Sequence, residues 1–402
     1  MKETIQLLKS YMKNKEDKIY IVGEYVRDKL KDSSKEPKTL DIVVDGNEAC
    51  LIKYLEAHEF KFDKLKDKQR GHKKTKESEE LYIWTNKGQN IEEYLQGVDF
   101  TVNAIALDIK DNKMIDPYNG RRDIKSKLVN EVMQESISKA PIRIITAIKL
   151  SLENGMHLGG FTEEHIRLYK DKIDESDKDE LYEALLSLFS KDLYGNAIEF
   201  LDRYEILENI FPYIKEAKTI GKCKYHVVNA YTHMEMTYRN FKDLISGRLS
   251  LNGIKDVLID KLVQNFSLYD YIAISAFLHD IGKFAAYKKE NGQVSFTNHN
   301  ELGARITEEA LKKLGFPKEA IEIITTIIEG HMHPLRIFKA GGMSQKKAIE
   351  DFFNKYKEIA PMIIAVSFCD VYATLSLKDD DNQEDAFKIF MENLIQEYRT
   401  FI

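Results

Sequence analysis

The chain has 402 residues, 43% of them hydrophobic and 31% charged, with a formal net charge of −6. That length predicts two or three domains with cores of ordinary size. The charge excludes a global positive field drawing the chain onto nucleic acid, though not a local basic groove. Cys50, Cys223 and Cys369 are scattered with no CxxC pair. This argues against a cysteine zinc site or a disulfide framework and fits a reducing, cytoplasmic setting.

The first segment, MKETIQLLKSYMKNKEDK, reads as a charged amphipathic helix over residues 1–15, with Ile5, Leu7, Leu8 and Met12 on one side. KIYIVG is a predicted strand, Gly23 a turn and EYVRDKLKD a helix. TLDIVV is a second strand, closed by Asp45-Gly46-Asn47, and NEACLIKYLEAH is a helix. KFDKL and LYIWT read as strands, and the polar, basic stretch between them as a loop. DFTVNAIALDI reads as a strand or strand–helix piece before the turn DPYNG.

Beyond about residue 130 nearly every segment has helical period. PIRIITAIKLSLENG, ELYEALLSLF, GNAIEFLDRYEILENIF, YDYIAISAFLHDIGKF, ELGARITEEALKKLG and KEAIEIITTIIEGH are the clearest. Only 7 prolines interrupt the whole chain, which suits long helices. The acidic run KDDDNQED is expected to be a solvated loop. No apolar run is expected to span a membrane, and no internal repeat is evident.

Five segments carry a resemblance: IVGEYVRDKL, TLDIVVDGN, GVDFTVNAIALD, IDPYNGRRDIKSKLV and APIRIITAIKL. In order and spacing they resemble the bacterial-type tRNA nucleotidyltransferases and poly(A) polymerases, which add nucleotides to RNA 3′ ends. The resemblance covers the head and continues into the helical neck. It implies an α/β nucleotidyltransferase-like head (1–130), then a long all-α neck (131–215) and an HD-type helical domain (216–402). The implied partner is a nucleotide or RNA substrate, tRNA included, and no membrane.

The chain departs from the family pattern at charged positions. Nucleotidyl transfer needs metal ions held by carboxylates around a triphosphate. Residues i and i+2 on a strand share a face about 7 Å apart, so a D-x-D pair can grip two metals. In the family the pair falls at positions 39 and 41, and here Thr39 accompanies Asp41. Asp45, about 13 Å along the strand, is too far to share a metal with Asp41. The second glycine of the family turn is Glu24, a fixed negative charge where a phosphate would meet a helix N-terminus. Gly97-Val98 and Thr146 stand where the family has arginines, and no arginine lies between Arg167 and Arg203 to read a base. Charge-assisted contacts contribute about 1.5–3 kcal/mol each. On this count Gly23, Arg27, Asp28 and Asp41 are vestigial nucleotide-binding residues, and transfer activity is lost.

The second half is fuller. YHVVNAYTH, AFLHDIGK, SFTNHNELGA, IIEGHMHP and AVSFCDVYATL resemble the HD superfamily of metal-dependent phosphohydrolases. The resemblance implies metal ligands His233, His279, Asp280, His299, His331 and Asp370. Imidazole and carboxylate donors together suit Mn, Fe, Ni, Zn or Mg, and two divalent ions could clamp a phosphate and activate a water. Asp280 and Lys283 are then the catalytic candidates, and His226, Lys283, His333 and Arg336 the substrate contacts. The expectation is a metal-dependent HD phosphohydrolase, acting on a phosphoester of a nucleotide or an RNA 3′ end, built on a degenerate transferase scaffold. Asp280→Ala should then abolish its chemistry and Asp41→Ala change little. Two alternatives stand beside it. One is an active tRNA nucleotidyltransferase in which Asp41 combines with Asp99, Asp116 or a substrate phosphate. The other is a non-catalytic RNA- or nucleotide-binding protein with structural metal.

Overall fold

A computed structural model describes residues 1–402 except 14, 35, 36, 38, 65–68, 74–78, 86, 87, 221–227, 292 and 378–380. The chain forms two compact units, Met1–Tyr169 and Lys170–Ile402.

The first unit is built on a seven-stranded mixed sheet in the order β3-β4-β5-β2-β1-β6-β7. The strands are β1 (Lys18–Val22), β2 (Thr39–Asp45), β3 (Phe60–Lys64), β4 (Gln69–Lys73), β5 (Glu79–Thr85), β6 (Ala106–Asp108) and β7 (Met114–Ile115). β2 lies between antiparallel β1 and parallel β5. A central strand is covered on both faces, so its sequence is apolar nearly throughout. Leu40, Ile42, Val43 and Val44 are all fully buried. One face packs Tyr20, Val22 and Val43 against Ile91, Leu95, Ala104 and Ala106, with Trp84 and Tyr94 at the margin.

Its helices are α1 (Lys2–Met12), α2 (Glu24–Lys31), α3 (Glu48–Glu56), α4 (Ile91–Gln96), α5 (Gly120–Ser126), α6 (Ser136–Lys139), α7 (Arg143–Asn154) and α8 (Gly160–Tyr169). Helices α6–α8 group with the sheet rather than with the helices that follow.

The second unit is helical, apart from two short hairpins. It contains α9 (Lys178–Lys191), α10 (Ala197–Arg203), α11 (Leu207–Ile210), α12 (Ile214–Ala217), α13 (Ala230–Ser246), α14 (Ile254–Val257) and α15 (Leu268–Leu278). After these come α16 (His299–Lys313), α17 (Lys318–Gly330), α18 (Met332–Lys339), α19 (Lys346–Tyr356), α20 (Ala360–Leu375) and α21 (Asp381–Phe401). A helix that is apolar all round belongs inside a fold. α15 (LYDYIAISAFL) and α20 (APMIIAVSFCDVYATL) are of this kind and are buried on nearly every side. The stretch Lys346–Leu375 is apolar enough by length and composition to cross a membrane, but here it is mostly buried in the protein.

The mixed head followed by a helical body agrees with the sequence reading; four local expectations do not. Within the basic stretch expected as a loop, β4 pairs with both β3 and β5. QRGHK has no apolar alternation to mark it in the sequence, and its backbone pairs in register with both neighbours. DFTVNAIALDI gives only the short β6, because Phe100–Ala104 turns tightly through Asn103 N–H to Phe100 O (2.9 Å) and Ala104 N–H to Thr101 O (3.1 Å). Its buried Phe100, Val102 and Ala104 are a core turn. GNAIEFLDRYEILENIF is split into α10 and α11 at Glu205, whose φ is 58°. The acidic run enters α21 from Asp381 onward, where negative charge complements the helix N-terminus.

Candidate functional site

Two constellations emerge, one in each unit. In the head, β1 ends at Val22, opposite Asp41 in the register of β1 and β2. Gly23 then turns the chain into α2 with φ 70° and ψ −138°, a conformation only glycine adopts easily. A Cβ at Gly23 would lie 3.7 Å from Asp41 Oδ2, so the carboxylate faces this turn directly. The opening N–H groups of α2 have no intrahelical acceptor, which suits an anion there.

Asp41 is oriented from the other side by Trp84, whose Nε1–H donates to Oδ1 at 3.1 Å. Burial pushes the Tyr94 hydroxyl well above its ordinary pKa, and the carboxylates of Asp41 and Asp99 add to it. Both carboxylates therefore act electrostatically on the Tyr94 hydroxyl. Asp99 Oδ1 accepts from Phe100 N–H (2.7 Å) and Asn103 Nδ2 (3.0 Å). Asn103 Oδ1 in turn accepts from Arg27 Nη1 at 2.8 Å. Arg27 and Asp28 are buried, with Arg27 Nε 3.2 Å from Asp28 Oδ1. Arg27 thus props Asp99 through Asn103. Asp116 has both oxygens committed, Oδ1 to Gly120 N–H (2.7 Å) and Oδ2 to Arg121 N–H (3.1 Å). Thr39 sits on β2 two residues before Asp41 and offers no carboxylate.

Sequence reasoning missed Trp84, Tyr94, Asn103 and Lys149. Lys149 is half-buried; burial lowers its pKa, while Glu24, Glu153 and Asp99 work to raise it. Trp84 is the chain's only tryptophan, and its alternation along LYIWT was the available signal.

In the second unit the six sequence-identified positions converge. His233 lies one turn into α13, whose start is capped by Asn229 accepting from Thr232 N–H at 2.7 Å. His279 and His331 stand at the C-terminal ends of α15 and α17, and His299 opens α16. Each of the three directs Nδ1 at a carbonyl three residues back: His279 to Ala276 (2.8 Å), His331 to Ile328 (2.6 Å) and His299 to Phe296 (2.8 Å). At the C-terminal ends of α15 and α17 such carbonyls lack intrahelical donors, whereas Phe296 O, before α16, also accepts His299 N–H at 3.2 Å. Donation from Nδ1 fixes the tautomer whose Nε2 carries a lone pair. His331 Nε2 is buried with no hydrogen-bond partner, an orphaned donor atom of the kind a cation would satisfy.

The carboxylates complete the set. Asp370, on α20, lies 2.8 Å from His233 Nε2 and 3.6 Å from His279 Nε2. Asp280 Oδ2 is 3.2 Å from His279 Nε2 while Oδ1 is 3.2 Å from His299 Nε2, so its two oxygens serve two sides. His233, His279 and Asp370 lie close enough to hold an ion, and so do His279, Asp280 and His331; the free Nε2 of His279 is common to both groups and can serve one ion at a time. Burial works against a proton on His279, but Asp280 and Asp370 override it and raise the pKa to about 10. Burial, then the neighbouring imidazoles, push His331 down to about 3. Two carboxylates facing buried imidazoles make this a place that favours positive charge, and the donor set fits a divalent cation there. Gly282 permits the assembly, since a Cβ there would meet His299 O at 2.1 Å and Gly303 N at 2.4 Å.

The remaining sequence candidates are placed differently. Lys283 is buried in a 3-10 turn, with Nζ 2.5 Å from Asp280 Oδ2. That occupies the ammonium expected to meet substrate. His333 bonds Tyr356 Oη at 2.8 Å, and it lines, with Arg336 and Lys355, a separate cleft of about 380 Å³. Among the described residues no hydrogen bond or ion pair joins His333 or Arg336 to the six. His226 lies outside the described residues.

Residues 48–130 match the poly A polymerase head domain and residues 267–375 match the HD domain. The A-adding tRNA nucleotidyltransferase of Deinococcus radiodurans is 21% identical over 340 residues, 82% of this chain and 71% of the relative. The CC-adding tRNA nucleotidyltransferase of Thermus thermophilus is 24% identical over 319 residues, 77% of this chain and 66% of the relative. Over most of its length the chain is thus similar to tRNA nucleotidyltransferases, and it carries a match to the HD domain. A solved CCA-adding enzyme in complex with ATP shares its fold, with a TM-score of 0.64 and 17% identity over 97% of this chain and 81% of that one.

These matches overturn the expectation of an HD phosphohydrolase carried on a degenerate transferase head. The relatives are nucleotide-adding enzymes, and their similarity runs through head and helical body alike. The sequence reading weighted single missing charges. It could not weigh the retained placement of Asp41 against the Gly23 turn, nor the indole holding it.

Proposed function

We propose that this chain transfers nucleotides to RNA 3′ ends, with tRNA as the RNA, at the head site around Asp41. The observation that carries the reading is the orientation of Asp41, held by Trp84 Nε1–H on one oxygen and facing the Gly23 turn with the other. The names of the relatives supply the substrate class, a tRNA and a nucleoside triphosphate. A cytoplasmic location accompanies that substrate.

The chain's own groups divide the work. The Gly23 turn and the first N–H groups of α2 bind phosphate. Asp41 and Asp99 are the carboxylates that would hold a divalent cation, since oxygen donors suit Mg²⁺ and Asp116 is committed to α5. Such an ion would supply charge neutralisation at the triphosphate. Arg27, through Asn103, holds Asp99 in place. Thr39 leaves this site with fewer anionic ligands than the family's paired aspartates.

The second constellation is read as a divalent metal centre of His233, His279, Asp280, His299, His331 and Asp370, with room in its donor set for two ions. Its ligands come from α13, α15, α16, α17, α20 and the turn after α15, so bound metal would tie these elements together.

The test is incorporation of labelled ATP and CTP into a tRNA lacking its 3′-terminal CCA, in the presence of Mg²⁺. Transfer that disappears in Asp41→Ala supports the reading. Absence of transfer by the folded wild-type protein, with both nucleotides and tRNA at saturation, defeats it.

A further inference from the structure

Away from Asp41, the head carries a cleft of about 690 Å³ between the end of α2, the turn into α5, α5 itself and the end of α7. It shares no residue with the Gly23 turn, Asp41 or Asp99. Lys31, Arg121, Arg122, Lys125 and Lys127 line it, and the one carboxylate among its lining residues is Asp116. Both oxygens of Asp116 accept backbone N–H groups, so it offers these cations little. Among the described residues no acidic side chain pairs with Arg121, Arg122, Lys125 or Lys127. Lys31 Nζ donates to Asn154 Oδ1 at 2.6 Å, which leaves Asn154 Nδ2 buried without an acceptor.

Such a cluster is unusual in a chain of net charge −6. Unpaired cations repel one another, and a concave arrangement concentrates their field. An anion with several charges would relieve both. The lining includes Leu30, Ile124 and Met156 but no aromatic ring. A base therefore has no platform to stack on, and contacts fall on phosphate rather than on sequence.

We propose that this cleft binds the sugar–phosphate backbone of the RNA substrate, outside the site of nucleotide transfer. The choice of RNA as the polymer rests on the function proposed above; the presence of a polyanion site does not. Arg121 and Arg122 grip phosphates through their guanidinium forks, and Lys125 and Lys127 act as point charges.

The test is binding, kept apart from catalysis. The triple variant Arg121→Gln, Arg122→Gln, Lys125→Gln changes only exposed side chains. A control removes three exposed charges from the other unit: Lys312→Gln, Lys313→Gln, Lys318→Gln. Affinity for a tRNA transcript lacking CCA is measured against salt concentration, and ATP affinity is measured separately. The cleft variant should bind the transcript about 10- to 100-fold more weakly at moderate salt, and the slope of log K against log[salt] should shrink by about 2. ATP affinity should match wild type. If the slope and affinity equal those of the control, the proposal is wrong. If ATP binding falls while RNA binding holds, the cleft serves a free nucleotide, and the RNA assignment is equally overturned. Because binding is read without turnover, a protein that binds in this way yet transfers nothing would defeat only the function proposed above.

Discussion

The indole Nε1–H of Trp84 donates to Asp41 Oδ1 at 3.1 Å, from the strand that runs parallel to the one bearing Asp41. This bond leaves Oδ2 facing Gly23 and fixes the rotamer of the carboxylate placed at the centre of the proposed transfer site. Trp84→Phe keeps the ring packing and deletes the donor. Loss of one hydrogen bond to a charged group, about 1.5–3 kcal/mol, corresponds to roughly a 10- to 100-fold drop in transfer. Steady-state incorporation, with thermal unfolding as a control on folding, checks this.

The buried imidazoles of the HD constellation predict a metal-dependent stability. Chelation should lower the melting temperature, and added Mn²⁺ or Zn²⁺ should restore it. At free metal 100-fold above Kd the effect is about 2.7 kcal/mol, or about 5–10 °C for a unit of this size. Asp280→Asn and His331→Gln should lower bound metal, measured by elemental analysis, and should flatten the response to chelator. An unchanged melting temperature after complete metal removal contradicts the proposed centre.

Gly282 is the packing hinge of that centre. Because a Cβ there would collide with backbone atoms of His299 and Gly303, Gly282→Ala should destabilise the helical unit by about 3 kcal/mol. Metal content should fall with it, since α16 carries His299. Denaturant titration and elemental analysis on the same preparation read both effects.

Much of this second constellation was legible in the sequence. Short-range motifs such as HDIGK and EGHMHP place chemistry at helix ends, and six positions in family-like order converge as a unit. The head was less legible. Departures such as Thr39 and Glu24 are visible as letters, whereas the group that orients Asp41 is distant in sequence and becomes its neighbour only through parallel strand pairing. β4 was hidden for a related reason: QRGHK is held by backbone bonds and carries no apolar rhythm. The start of α21 was hidden because acidic residues mark a helix N-terminus as readily as a solvated loop.

A buried carboxylate outside both sites gives a pH signature. Asp270, on α15, has its pKa raised from 3.8 to about 6, chiefly by burial, with Lys242 3.8 Å away and pulling it down. The folded state holds this proton more tightly than the unfolded one. The associated stability is fully present below about pH 4 and is lost as pH rises through about 6. Asp270→Asn lacks this titration. Its stability relative to wild type should therefore rise between pH 4 and pH 7, by about 3 kcal/mol for a shift of about 2 units. Chemical denaturation at the two pH values measures the difference.

The most direct measurement compares wild type, Asp41→Ala and Asp280→Ala for addition of labelled ATP and CTP to a tRNA lacking its CCA end. Wild type should transfer, Asp41→Ala should lose at least about 100-fold through removal of a metal-binding carboxylate, and folded Asp280→Ala should retain transfer. Undiminished transfer in Asp41→Ala, or none by wild type, would contradict the proposed function.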